Sequence, residues 1–266
     1  MNRAQLKAAK LISDYQIDDP SILVEHLEDF CFELGTAIQY LPLEGVEARI
    51  TASGGKGIIT INSAENRIER IRFSIGHELG HFLLHCNDIP EFNCTRKDMS
   101  EWFSKQKAIS MEVEANEFSI NLLTPESLAK PLVKSSSPSI DAIESIAKTF
   151  NMSLSATALR YVELSSEPVA VVFYTKVTGV RNFKCSKYFE QQNYRFHFGL
   201  LDRESLAHEV SMGKEQKRMS MVAASAWLEL PDWLQESLIY EQTRYFPQFD
   251  MGFSLLWMKS GKIIRN

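Results

Sequence analysis

The chain has 266 residues, 44% hydrophobic and 24% charged, and contains no apolar run near the length of about 18 residues that spans a membrane, so we expect a cytoplasmic globular protein with no membrane partner. The formal net charge of -5 is uneven: residues 1–167 hold 16 basic and 24 acidic side chains, which disfavours nucleic acid as a partner, against 13 and 10 in residues 168–266. Four cysteines without C-x-x-C spacing exclude a disulfide scaffold and are typical of reduced, partly buried thiols (Cys31, Cys86, Cys94 and Cys185).

The first third of the chain combines helical and strand patterns. Apolar residues recur at helical spacing over residues 3–14 and 21–34. Three short runs of β-favouring residues follow, separated by proline and glycine, and predict strands at 36–41, 46–52 and 57–62.

A longer helix is predicted over residues 63–85, with Ser63 as its N-cap. Residues 86–108 are polar and irregular, which favours a loop or flap. A second helix is expected from about Ser110 to residue 124, and residues 134–138 are typical of a linker.

Two short amphipathic helices, 140–150 and 154–164, are separated by a turn and have the outline of a helix-turn-helix. After Pro168 the pattern becomes rich in strands, which indicates a separate α+β module. The predicted strands of this module are residues 169–175, 194–200, 221–228, 238–245 and 253–258.

The helix over residues 63–85 carries the sequence His77-Glu78-Leu-Gly-His81. Two histidines four residues apart lie on one helical face, about 6 Å apart along the axis, so both can bind one metal ion. Glu78 lies about 100° round the helix from His77, where it can contact a water in the open position of that ion. This arrangement is typical of zinc peptidases, in which the carboxylate is the general base.

A catalytic zinc site requires a third protein ligand. His85 is too far along a continuous helix to share the ion, and we expect it to stabilise the helix C-terminus. Glu112 on the next helix shares a face with Asn116. Glu112 can therefore reach the metal, while Asn116 does not bind the metal but orients a histidine by a hydrogen bond. Spacing alone leaves Glu114 and Glu117 open as alternatives.

These motifs together resemble the ImmA/IrrE family of metallopeptidases. The resemblance covers about residues 15–165 and is loose beyond Pro168. It is carried by residues 58–63, 72–85, 112–118, 122–125, 146–153 and 158–161.

The resemblance implies that Glu112 is the third ligand and that the N-terminal part has a zincin-like α+β fold. It also implies that the substrates are helix-turn-helix repressors, cleaved to induce mobile-element or stress genes. The C-terminal part is similar to an appended sensory module of the GAF-like kind.

We therefore predict an α+β protein with a zincin-like metallopeptidase domain at 1–130, a helix-turn-helix-like segment at 139–166 and a C-terminal sensory or partner-binding module at 168–266. The predicted function is a zinc-dependent endopeptidase, with another divalent metal as an option, that cuts a helix-turn-helix repressor. The strand over residues 57–62 is expected to pair with the substrate, and the two later segments are expected to dock it.

The alternative is a non-proteolytic metal-containing regulator or a DNA-binding protein. Direct nucleic-acid binding is disfavoured because the helix over residues 154–164 offers Arg160 as its single base and also carries Glu163. A purely structural metal site is disfavoured by Glu78, because such a site needs no base beside its histidines.

Overall fold

The computed structural model of the protein describes residues 1–86, 89–95, 98, 107–215, 218–259 and 263. The chain divides into two compact units, residues 1–129 with 147–153, and residues 130–146 with 154–266. Both units combine helices with a sheet, which confirms the predicted α+β class. Within the described residues, no helix combines the length and the apolar character that a membrane span requires. The predicted three-part domain division stays a prediction.

The first unit contains a four-stranded sheet with the strand order β1-β3-β2-β4. β1 is parallel to β3, and the other pairs are antiparallel. Because β3 lies between β1 and β2, both of its edges are occupied, so the prediction that it pairs with a substrate strand is wrong. The elements are α1 (Arg3–Asp14), α2 (Pro20–Glu25), α3 (Leu27–Glu33), β1 (Thr36–Leu41), β2 (Ala48–Ser53), β3 (Lys56–Asn62), α4 (Ile68–Leu84), β4 (Glu91–Cys94) and α5 (Lys107–Leu123).

The helix predicted over residues 63–85 starts later than expected, at Ile68. Polar side chains hold the preceding residues in a turn: the Asn62 amide donates to the carbonyl oxygens of Leu43 and Val46 at 2.7 and 2.8 Å. Glu65 then accepts from the backbone N–H of Arg67 at 3.0 Å. Ser63 is therefore not the N-cap, because these local side-chain contacts compete with helix formation.

The region 86–108 was predicted to be irregular, yet it contains the strand β4. β4 pairs antiparallel with β2, with Cys94 opposite Ala48. Four residues are too few for alternation of polar and apolar residues to indicate a strand. Pairing with β2, which the local sequence does not show, stabilises the extended conformation of β4. The rest of the predicted loop falls in part on residues 87–88, 96–97 and 99–106, which lie outside the described residues.

Arg72 fixes α4, the helix with the paired histidines, within the first unit. Arg72 is 5% exposed, and its guanidinium donates to the carbonyl oxygens of Leu23 and Val24 at 2.7 and 2.9 Å. It also reaches those of Phe150 and Asn151, each at 3.3 Å. A buried cation is costly unless hydrogen-bond acceptors compensate for the lost water, and Arg72 has four backbone acceptors. Two of them lie in residues 147–153, so these hydrogen bonds help to hold that segment in the first unit.

The second unit is built on a five-stranded antiparallel sheet with the order β6-β5-β11-β10-β8. β6 was missed by the sequence analysis because its burial alternates weakly, and the strand predicted at 194–200 is only two residues long. The elements of the second unit are α8 (Leu154–Leu164), β5 (Val169–Thr175), β6 (Gly179–Cys185), α9 (Lys187–Glu190), β7 (Arg195–Phe196), α10 (Leu206–Ser211), β8 (Ser220–Ala223), β9 (Leu228–Glu229), β10 (Leu238–Phe246) and β11 (Met251–Trp257). α6 (Glu126–Lys134) and α7 (Ile140–Phe150) each begin in one unit and end in the other.

α8, the second helix of the predicted helix-turn-helix outline, is mostly buried and packs on β5 and β6. Its single basic residue, Arg160, is 2% exposed and pairs with Glu163 at 3.2 Å. A recognition helix must expose cationic and polar side chains to the DNA grooves. α8 has no such face.

Glu241 organises the core of the second unit. Its fully buried carboxylate accepts from the backbone N–H of Leu206 and Ala207, each at 2.9 Å. It also accepts from Trp227 Nε1 at 2.9 Å and Ser254 Oγ at 2.8 Å.

We expect Glu241→Ala to lower the free energy of unfolding by at least about 3 kcal/mol, because four buried donors lose their acceptor at once. Chemical denaturation of the whole protein measures this loss. Glu229→Ala, at an exposed position, is the matched control and is expected to change it by less than about 0.5 kcal/mol.

Candidate metal centre

His77 and His81 lie one turn apart on α4 and are both fully buried. Their Nε2 atoms are 3.0 Å apart. Glu112 on α5 places its Oε2 atom 3.1 Å from the first of these nitrogens and 3.4 Å from the second. The structure therefore brings together the three residues that the sequence analysis proposed as metal ligands.

Small residues allow α4 and α5 to approach closely. A Cβ atom added at Gly80 would lie 3.2 Å from Ala115 Cα and 3.1 Å from the Phe118 ring. One added at Gly76 would lie 2.5 Å from Ser119 Oγ, which donates to the carbonyl oxygen of Phe73 at 2.9 Å. This close packing is what carries Glu112 to the histidines.

We expect Gly80→Ala to weaken metal binding on the order of tenfold, because α5 must move by a few tenths of an ångström and takes Glu112 with it. The dissociation constant, measured by competition with a chromogenic chelator, tests this. An unchanged constant in a folded variant would show that the helix spacing does not set the ligand geometry.

The Asn116 amide, predicted to orient a histidine, lies against His77. His77 Nδ1 lies 2.9 Å from Asn116 Oδ1, and the amide nitrogen of Asn116 donates to the Asp98 carbonyl oxygen at 3.2 Å. With the Nδ1 proton donated to the amide oxygen, the lone pair of Nε2 points toward His81 and Glu112.

His81 is oriented by a second chain of contacts. His81 Nδ1 lies 3.0 Å from His85 Nδ1, and His85 Nε2 lies 3.0 Å from Glu114 Oε2. His85 is the C-cap residue of α4, where its backbone N–H donates to the His81 carbonyl oxygen, and its side chain supports the His81 ring. Glu114 is thereby directed away from the two-histidine pair, and Glu117 is likewise turned to the Asn2 amide.

We expect His85→Phe to weaken metal binding by about 10- to 100-fold, because His81 loses the acceptor that fixes its ring. Glu114→Gln keeps an acceptor for His85 and should have a smaller effect. Chelator competition on both variants gives the comparison, and equal constants for wild type and His85→Phe would contradict this role.

The donor atoms fit a divalent cation. When the Nδ1 protons of His77 and His81 are directed to Asn116 and His85, two imidazole lone pairs and a carboxylate oxygen converge. Ligands about 2.1 Å from a tetrahedral zinc ion lie about 3.4 Å apart, close to the separations found here. Burial lowers the pKa of His81 to about 4, which keeps that imidazole neutral, the form that binds metal.

Glu78, the predicted general base, is fully buried on the same helix. Burial raises its pKa to about 7, against smaller opposing effects of His77 and of the Cys94 thiol beside it. Neither of its carboxylate oxygens has a hydrogen-bond partner of ordinary geometry among the described residues. A carboxylate of this kind is suited to accept a proton near neutral pH.

Cys94 is the residue of this site that the sequence analysis missed. It is fully buried, and its Sγ atom and the ligand atoms of the two histidines and Glu112 all lie within 4.8 Å of one another. Cys94 is not at a motif spacing from the histidines, and it lies on β4, a strand that the sequence pattern did not predict. No sequence signal therefore indicated that it would lie at this site.

Comparisons with known proteins give a family match and a similar fold. Residues 31–161 match the peptidase family model described as the IrrE N-terminal-like domain. A solved structure called a Mycobacterium tuberculosis transcriptional regulator superposes with a TM-score of 0.58 over 98% of this chain and 77% of that chain, at 12% identity, which supports the fold alone. No curated protein matches the chain.

The fold and the family match together define a metallopeptidase domain of the zincin-like kind. The match over residues 31–161 is to the family that the motifs resemble, ImmA/IrrE, so the resemblance is confirmed for this part of the chain.

Proposed function

We propose that the protein is a zinc-dependent endopeptidase that cuts one specific regulator, a helix-turn-helix transcriptional repressor, and thereby induces mobile-element or stress genes. The observation that supports this most is the convergence of His77, His81 and Glu112 beside the buried carboxylate of Glu78. This set has the ligands and the base that metal-assisted peptide hydrolysis requires. The similar solved structure is called a transcriptional regulator, which agrees with a regulatory role.

In this proposal the two histidines and Glu112 hold zinc, which when bound polarises the scissile carbonyl and acidifies water. Glu78 accepts the proton of the attacking water and delivers it to the leaving amine nitrogen. Asn116 and His85 hold the histidine rings in the tautomers that leave both Nε2 atoms available. Burial of the site excludes bulk water and strengthens these polar interactions.

The substrate is proposed to pair with the sheet at β4, since β4 lies at the edge of the described sheet and β3 does not. An added strand gains affinity through its backbone hydrogen bonds, with little choice of sequence. Selectivity for one regulator would therefore come from surfaces outside the cleft. A truncation at residue 168 is a poor test of this, because α8 would lose the strands on which it packs.

The test uses Glu78→Gln as bait for a helix-turn-helix protein that co-purifies with the full-length chain. We expect this variant to retain the regulator intact and the wild type to cut it at a few bonds. Equal digestion of unrelated unfolded proteins by the wild type would contradict a dedicated substrate. Binding without cleavage by the metal-loaded wild type would favour the non-proteolytic alternative.

A further inference from the structure

The pairing of β4 with the sheet fixes the position of Cys94 beside the histidines. The backbone N–H of Glu47 donates to the Cys94 carbonyl oxygen at 2.9 Å, and that of Ala52 donates to the Pro90 carbonyl oxygen at 2.7 Å, so both ends of β4 are attached to β2. Alternation along β4 puts Phe92 and Cys94 on the same face. The Phe92 ring stacks on His81, with ring centroids 4.1 Å apart and planes inclined by 22°.

The thiol completes a four-residue donor set. Two imidazoles, one carboxylate and one sulfur are ligands that zinc commonly takes, and four protein ligands are the mark of a closed site, whereas a catalytic site keeps one position open. Cys94 is not part of a disulfide. It is therefore chemically available as a ligand.

Glu78 provides a second, independent observation. The Glu78 carboxylate is fully buried, and the Cys94 thiol lies beside it. The sulfur is therefore next to the proposed general base as well as next to the three other donor atoms.

We propose that Cys94 is a fourth metal ligand that holds the peptidase in a latent state, with β4 as the element that delivers it. This inference rests on the metallopeptidase function proposed above. In the latent state the thiol proton has been released to solvent and the thiolate sulfur fills the fourth position. Activation breaks the bond between sulfur and metal, the thiolate takes up a proton from solvent, and water enters beside Glu78.

The first test needs no substitution. The full-length protein loaded with cobalt(II) is expected to show the ultraviolet charge-transfer band of a thiolate bound to cobalt. Stoichiometric cobalt without this band would overturn the proposal and leave the histidine and carboxylate ligands intact. Failure to bind cobalt at all would overturn the metallopeptidase assignment itself, so the two failures are distinguishable.

The second test compares two cysteine variants. Cys94→Ala is expected to keep one cobalt per chain and to lose the band. It should bind metal at least about tenfold more weakly, because the loss of a direct ligand should lower the affinity at least as much as the loss of a residue that orients a ligand. Cys31→Ala, at an equally buried cysteine on α3, should keep the band and the affinity.

The rate of peptide cleavage tests whether Cys94 holds the enzyme in a latent state. If the thiol fills the fourth position in nine molecules of ten, metal-saturated Cys94→Ala cuts a short peptide about tenfold faster than the wild type. An unchanged or lower rate in a metal-loaded variant would contradict latency, even if the spectrum identified Cys94 as a ligand.

Discussion

Glu78→Gln is expected to keep the metal and to lower kcat for peptide cleavage by about 10²–10⁴-fold, the usual contribution of a general base. The amide is nearly the same size as the carboxylate but cannot accept the proton of the attacking water. Glu78 takes no part in the proposed ligand set, so the metal should remain. Steady-state cleavage of a short peptide, together with metal analysis of the same sample, measures both effects.

Glu229→Gln is the control for this variant, because it makes the same chemical change on an exposed carboxylate of β9 that takes no part in the site. Its cleavage rate at saturating metal should stay within a few-fold of the wild type. A Glu78→Gln protein that cleaves at the wild-type rate would remove Glu78 from the mechanism, and one that has lost its metal would make Glu78 a ligand.

The second large effect concerns metal content. We expect purified wild-type protein to contain about one divalent ion per chain and His77→Ala or His81→Ala to contain almost none. Each histidine is fully buried and supplies one of the converging nitrogens, so its removal takes away a ligand and leaves a cavity in its place. Elemental analysis after dialysis gives the stoichiometry.

His26→Ala is the control for the histidine variants, since His26 pairs with Asp29 at the surface, away from the donor set. It should retain one ion per chain. Stoichiometric metal in His77→Ala would show that the ion is bound elsewhere or without this ligand.

The sequence could predict the helices and the motif because both are local. The spacing of His77 and His81 fixes their common face on any helix. Glu112 was separated from Glu114 and Glu117 by family resemblance, and the structure places it at the histidines because Gly80 and Ala115 let the two helices approach.

The parts that could not be predicted depend on long-range pairing. β4 is too short for its alternation to be recognised, and its position comes from β2, more than 35 residues earlier in the chain. Cys94 therefore looked like an ordinary buried thiol. The late start of α4 was missed for a related reason, since the side chains of Asn62 and Glu65 stabilise a turn that apolar periodicity does not reveal.

Reconstitution with zinc tests whether cleavage depends on a bound metal ion and on Glu78. The protein is stripped of metal with a chelator, and cleavage of the co-purifying regulator is followed as zinc is added back. We expect no cleavage by the metal-free protein, a rise that levels off at about one zinc per chain, and no cleavage by Glu78→Gln at any zinc level. Cleavage that persists in the metal-free protein, or that Glu78→Gln performs as well as the wild type, would contradict it.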